Sequence, residues 1–539
     1  MNSGPPSGGN FAISSADGII FSCFTVISYS LSMIVVWNSS PYKYLPVLRM
    51  WQSQSLVRLK TLNGSLLYWT RQPKITYTAG NRYRPRESVL PFSNRLQTCS
   101  QADSRSATPM GEPFRKTIEI VEGLMRPMAQ FWMDNPLPPY EEYAHLYAAT
   151  ISNNADQYED IAAAMNDENR KVALFEFGLV PQLFYSFGCA PLCLEFYPSF
   201  FTRVNMNIVY EFIEAAEEAG IPSDVCSTDR FILGAALKGE LPKNSFFVTS
   251  SSPCDGTRIA YPILHKLLDC PMLFLDAPFR YDRESIRYYA RQLKEQLIPF
   301  LEKVTGRKFD IDRLREAVVE SNKAYEYLLD IHDTFTVRPA PHPGLLRLLP
   351  YGCFIFGAGH PRLTKTLKLL RDDAVQRVKD GRTAGPFEER HRVLWVHVPP
   401  TYDNELFNWM EQQFGAMMVS NSLSSTAILD PIDTGTLESM LEGIAWQGLD
   451  MTMSLMRFDT QKLIQFSLRA YDHYHCDCMI ITQHVGCNSI CGARGLIREV
   501  CRKRDIPALF IELDYNDDRV LPIELLRTQI EEFFTTVMQ

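Results

Sequence analysis

Residues 477–520 read DCMIITQHVGCNSICGARGLIREVCRKRDIPALFIELDYNDDRV. The run around Met479–Thr482 is apolar and β-branched, the composition of a strand buried on both faces. Cys487 follows that strand and precedes a helical pattern, and Pro507 to Leu513 supplies the next strand. Strand, helix and strand at this spacing form a βαβ unit, which requires a parallel sheet with helices on its faces.

The same texture extends upstream. RVLWVHVPPTYDNELFNWMEQQFGAMMVS (392–420) reads as strand, Pro399-Pro400 loop, helix and strand. NSFFVTSSSPCDGTRIAYPILHKLL (244–268) reads as a buried strand, a small-residue loop and a helix whose start is marked by Asp255 and Thr257. This places Cys254 at the carboxyl end of a strand, the edge where open α/β sheets collect ligands. PMLFLDAPF (271–279) repeats the strand and loop. Cys226, in GIPSDVCSTDRFILGAAL, lies just before another helical pattern. The positive end of such a helix is expected to favour a thiolate. A short helix between Pro181 and Gly188 leads into a further strand. Residues 284–335 form long helical stretches, with Gly306 breaking the pair and Asp310 capping the second. Residues 116–170 hold the amphipathic runs RKTIEIVEGLMRPMAQFW and PYEEYAHLYAATI.

The fold expected is therefore α/β: a helical N-terminal segment (116–170), a first α/β domain (171–283), a helical connecting segment (284–385) and a second α/β domain (386–539). Of 539 residues, 46% are hydrophobic and 22% charged, ample for two cores. Residues 1–115 differ, with twelve Lys/Arg against four Asp/Glu, a balance of +8 that leaves −16 for the remainder. They are expected to lack structure or to be an upstream extension of the reading frame, with Met110 as the natural start. The uncharged run Gly18–Trp37 has the ~20 residues of a membrane helix, but its five Ser/Thr hydroxyls disfavour an anchor. The formal charge of −8 gives no basic face for nucleic acid.

Thirteen cysteines without a CxxC array argue against a disulfide framework and favour a reducing, cytoplasmic setting, with free thiols as core filler or ligands. Cys189 and Cys193, among Phe187, Leu192 and Leu194, read as core packing. Cys476 and Cys478 are expected to share one covered face of a strand. Cys491, at helical spacing from Cys487, reads as helix packing or a fourth ligand. His484 reads as a structural imidazole or a proton donor, Asp255 as a helix cap, and Asp514, Asp517, Asp518 and Arg519 as ties on the terminal loop.

Taken in order, the stretch from Pro181 to Pro191, DVCS at Cys226, SSSPCD at Cys254, LKEQLIPFLEKVTGRKFDIDRLREA, the strand at Trp395, and GCNSICGARGLIREV followed by IPALFIELDYNDDR resemble the benzoyl-CoA reductase / 2-hydroxyacyl-CoA dehydratase family. The resemblance covers roughly residues 170–539, and its nearest look is to the B-type component of the benzoyl-CoA reductases. It implies two Rossmann-like domains with a 4Fe-4S cluster held between them by Cys226, Cys254 and Cys487. It implies radical, one-electron reduction of an acyl-CoA thioester leading to loss of the 2-hydroxyl as water, or ring reduction in the benzoyl-CoA branch. It also implies a homologous sister subunit and a separate ATP-dependent iron-sulfur activator. The chain itself has no GxxxxGK[ST] phosphate loop. Two other readings stay open. Structural zinc would use the same thiolates, although such sites usually pair ligands as C-x2-4-C. A cluster-bearing electron relay would carry iron without a substrate site of its own. No acid or base is assigned.

Overall fold

A computed structural model of the chain describes residues 112–539, apart from 135–140, 180, 253, 281, 404, 423–429 and 451–459, together with the backbone of 11–14, 20–23 and 34–36. It divides into two compact units, residues 1–89 and 90–539.

In the first unit, β1 (Phe11–Ser14), β2 (Ile20–Cys23) and β3 (Ile34–Val36) form an antiparallel sheet in the order β1-β2-β3. Within the run 18–37, where an anchor was disfavoured, Ile20–Cys23 and Ile34–Val36 are strands. The β-branched and aromatic residues of FAIS, IFSC and IVV suit strands. Among the described residues no helix is long and apolar enough to cross a membrane. Met110 lies outside the described residues.

The second unit contains two four-stranded parallel sheets. The first has the order β5-β4-β6-β7, from β4 (Val172–Phe175), β5 (Ala190–Cys193), β6 (Ser245–Ser250) and β7 (Met272–Leu275). The second has the order β11-β10-β8-β9, from β8 (His391–Val396), β9 (Ala416–Asn421), β10 (Cys478–His484) and β11 (Ala508–Leu513). The two orders are the same topology. In each, the chain runs from the first strand to one neighbour, then returns to the other side of the first strand for the third. The crevice at such a reversal opens at the carboxyl ends of the first and third strands, here β4 with β6 and β8 with β10.

Alternation along the strands builds three cores. Ala173, Phe175, Phe246, Val248, Leu394, Val396, Met479 and Ile481 share one large cluster, while Val172, Leu174 and Phe247 face a second and Val393, Trp395, Cys478 and Ile480 a third. Burial on both faces explains why these strands read as unbroken apolar runs. Each fully buried Phe or Leu contributes about 1.5–3 kcal/mol. Trp395 keeps its indole N–H satisfied on Thr482 Oγ1 at 3.2 Å.

Helices Arg283–Gln292, Ile298–Thr305, Ile311–Thr334, Leu345–Gly357 and Pro361–Asp380 fill the segment between the sheets in sequence. Gly306 ends the second of these at φ 70°, and Asp310 caps the third by accepting from the amides of Asp312 and Arg313. The sequence reading did not single out β4, or helices Leu437–Asp450 and Thr460–His473.

Cys476 and Cys478 are both buried, but not on one face. Cys476 precedes β10 and joins the large shared cluster, whereas Cys478 faces the third. The alternation argument fails because the strand begins only at Cys478. Cys189 and Cys193 are buried in the shared core.

Candidate functional site

Three helices bring the three predicted cysteines to one place. Cys226 is the N-cap of α1 (Ser227–Leu237), Cys487 is the N-cap of α3 (Asn488–Lys503), and Cys254 lies three residues ahead of α2 (Thr257–Leu268). Cys254 follows β6 and Cys487 follows β10, so the two hold equivalent positions at the reversal points of the two sheets. Cys226 comes from the crossover between β5 and β6 and reaches across to the second sheet.

Two glycines permit the approach. Gly486, just before Cys487, has φ 88°, and a Cβ there would stand 2.9 Å from Cys226 N and 3.0 Å from its Cα. Gly256, two residues after Cys254, would place a Cβ 3.8 Å from Cys226 Cβ and into the Asp229 carboxylate. A larger residue at Gly486 would push the Cys226 turn away, and one at Gly256 would displace the Asp229 carboxylate.

The contact between the sheets is held by the DYND turn after β11. Asp514 Oδ1 accepts from Ser227 Oγ at 2.5 Å and from the amides of Asn516 and Asp517 at 2.9 and 3.1 Å. Asp514 Oδ2 lies 3.4 Å from the Arg230 guanidinium, and Asn516 donates to Thr228 Oγ1 at 2.9 Å. The Tyr515 hydroxyl pairs with Thr228 and stands 3.9 Å from Cys226 Sγ. Asp517 pairs with Arg519 at 2.8 Å, and Asp518 meets the Tyr210 hydroxyl. Asp514 therefore does more than tie its own loop, since it fixes the first turn of α1.

Two imidazoles face the sulfurs. His484 Nε2 is 3.2 Å from Cys226 Sγ, and His397 Nε2 is 3.9 Å from Cys487 Sγ. Both rings are 1% exposed, and burial lowers both pKa values to about 3, which keeps them neutral. His397 escaped sequence reading because it looks like the tail of the buried run RVLWV. The structural signal is its place immediately past β8, at the same reversal point as Cys487.

Glu176 occupies the matching place past β4. It accepts from the Thr249 hydroxyl, the Ser250 amide at 2.6 Å and the Thr257 hydroxyl at 2.9 Å, and so anchors the start of α2. Glu195 accepts from the Phe177 amide and Tyr261. Burial and their mutual repulsion raise Glu176, burial raises Glu195 to about 7, and burial with the neighbouring Glu195 raises Asp229 to about 8.

Three expectations are corrected. Asp255 does not cap α2: Gly256 holds that position, no side chain caps it, and Asp255 is exposed. Cys491 is not packed; it is exposed, with Sγ 3.5 Å from the His484 carbonyl oxygen. The helix ends do not prevail at the three thiols. Burial comes first and pushes Cys226, Cys254 and Cys487 all above the ordinary thiol value, against the nearby amides of Thr228, Ser489 and Ile490. Cys254 also feels Cys487 and Cys226 electrostatically, as expected for neighbouring sulfurs.

Among the described residues, no group of three or more His, Cys, Asp or Glu side chains closes on a single metal ion. One zinc with thiolates at about 2.3 Å would hold its sulfurs within about 4 Å of one another. The donor set suits an iron-sulfur group by its chemistry: three soft sulfurs from separate segments, each released of its proton on binding, with imidazoles at two of them.

The family described as 2-hydroxyglutaryl-CoA dehydratase, D-component, matches residues 180–537. The chain is 27% identical over 354 residues to the B subunit of benzoyl-CoA reductase from Thauera aromatica, covering 60% of this chain and 79% of that protein. It is 24% identical over 163 residues to the alpha subunit of (R)-2-hydroxyglutaryl-CoA dehydratase from Acidaminococcus fermentans, covering 30% and 34%. It is 25% identical over 191 residues to the (R)-phenyllactyl-CoA dehydratase alpha subunit of Clostridium sporogenes, covering 34% and 47%. The matches to these two dehydratase subunits thus span less than half of their lengths.

Proposed function

Because the chain belongs to the 2-hydroxyglutaryl-CoA dehydratase D-component family, we propose that it is the iron-sulfur subunit of a 2-hydroxyacyl-CoA dehydratase or benzoyl-CoA reductase type complex. In this reading Cys226, Cys254 and Cys487 are the thiolate ligands of one 4Fe-4S cluster. The observation that carries it is the meeting of three thiol-bearing turns from two sheets, each at or just before a helix amino-terminus, over glycines that leave no Cβ in the way.

Such a cluster, when bound, supplies low-potential single electrons for reduction of an acyl-CoA thioester, with the 2-hydroxyl leaving as water. Cys226, Cys254 and Cys487 would hold it through three thiolates. The residues of this chain have two tasks. Asp514, Asn516 and Tyr515 hold the Cys226 turn against the second sheet. Glu176 holds the turn after Cys254.

The relatives are named as single components of larger enzymes, an alpha subunit in the dehydratases and a B subunit in the reductase, which supports a homologous sister subunit as partner. With no phosphate loop in the sequence, electron delivery falls to a separate ATP-hydrolysing iron-sulfur activator. A ring-reducing activity on benzoyl-CoA is the second reading, favoured by the 79% coverage of the Thauera aromatica protein. Anaerobic assays of the complex with its sister subunit and activator separate the two. Water loss from a 2-hydroxyacyl-CoA supports the first, and reduction of benzoyl-CoA the second. Iron without acyl-CoA binding in that complex would instead indicate an electron relay.

A further inference from the structure

His397 is held in a left-handed backbone conformation by its neighbours at the end of β9. Its φ is 75°, a region that a residue with a Cβ adopts only at an energetic cost. Both backbone groups are clamped: its amide donates to Ser422 Oγ at 2.7 Å, and its carbonyl accepts from Asn421 Nδ2 at 3.0 Å. Asn421 and Ser422 are fully buried at the end of β9. The result of that clamp is to aim Nε2 at Cys487 Sγ, 3.9 Å away.

His484 reaches the same arrangement from the other reversal strand. It ends β10 with Nε2 3.2 Å from Cys226 Sγ. In both rings Nδ1 is buried; that of His397 has no hydrogen-bond partner, while the His484 ring also meets the Leu513 backbone. Asp514 Oδ1, 3.8 Å from His484 Nδ1, is already taken by Ser227 and two backbone amides. An unfilled buried acceptor is less costly than an unfilled buried N–H. That preference puts the His397 ring proton on Nε2, facing sulfur; for His484 the donor role rests on Nε2 standing 3.2 Å from a sulfur that, as a deprotonated ligand, can only accept.

We propose that His397 and His484 are positioning residues that donate Nε2–H hydrogen bonds to the Cys487 and Cys226 sulfurs, and so set the reduction potential of the group those sulfurs hold. The inference rests on the iron-sulfur reading above. A donated N–H stabilises negative charge on a ligand sulfur, and hydrogen bonds to ligand sulfurs are among the main determinants of cluster potential. The reduced cluster carries more negative charge than the oxidised one, so removing a donor makes reduction harder.

The test uses the full chain purified anaerobically, with iron content and an EPR-monitored redox titration for the parent, His484→Phe, His484→Gln, His397→Phe and His397→Gln. Phenylalanine fills the ring volume without a donor, and glutamine restores an N–H. The expected result is a midpoint potential more negative in both Phe variants, returning toward the parent in the Gln variants. Loss of iron in a Phe variant with retention in its Gln counterpart supports the same role. Phe variants that keep both iron and the parent potential would overturn the proposal, as would Phe and Gln variants that lose iron alike. A parent chain without iron would overturn the iron-sulfur reading itself.

Discussion

At the scale of single residues, the site is a set of groups that burial has moved away from their ordinary protonation states. Glu195, with Glu176 and Asp229 beside it, has a folded pKa of about 7 against an ordinary 4.5, with burial as the first cause. A raised value means the stability from this cluster is whole below about pH 4.5 and is lost as pH climbs through about 7. Glu195→Gln should therefore narrow the difference in Tm between about pH 5 and about pH 8, and an unchanged gap would count against the cluster. Asp514 is fully buried, and Ser227, Arg230 and two amides depend on it. Asp514→Ala should cost roughly 3 kcal/mol in urea denaturation at about pH 8, because it leaves a buried guanidinium short of its partner; a cost below about 1 kcal/mol would mean that Glu217 and the Val225 carbonyl suffice for Arg230. Sequence could offer Cys226 and Cys487, since each stands directly before a helical pattern. It could not offer His397 or Glu176, because a titratable residue past the end of an apolar strand acquires its role only from which strand lies beside it.

At the scale of elements, glycines decide how closely the turns meet. Gly486 needs both its positive φ and its missing Cβ, and Gly256 needs only the latter. Gly486→Ala should destabilise the chain by about 1–2 kcal/mol from backbone strain alone and should lower bound iron by displacing the Cys226 turn. An alanine variant with full stability and full iron would show that the turn has room to spare. The helix patterns were readable because caps and breakers are local, as Asp310 and Gly306 illustrate. The Asp255 cap misled because Gly256 starts α2 and Glu176, 81 residues earlier than Thr257, supplies the hydroxyl contact. Propensity at a helix start cannot register a partner so distant in sequence. Over the run 18–37, length and lack of charge alone do not separate a membrane helix from strands of a small sheet, and the hydroxyls that disfavoured an anchor accompany two strands.

At the scale of the molecule, two parallel sheets of one topology place their reversal points toward each other, and each contributes a cysteine at its third strand and a buried titratable residue at its first. The βαβ texture of residues 477–520 was enough to expect parallel sheets, since only crossover helices join such strands at that spacing. The equivalence of the two sheets was not, because strand order is a property of pairing rather than of any one segment. What the arrangement is for depends on the sulfurs acting together. Iron and sulfide analysis of the anaerobically purified full chain tests this most directly, for the parent and for Cys226→Ala, Cys254→Ala, Cys487→Ala and Cys491→Ser. The account predicts about four irons for the parent and for Cys491→Ser, with loss in each of the three alanine variants, because a cluster short of one thiolate is weakly held. Iron retained in all three alanine variants would contradict it.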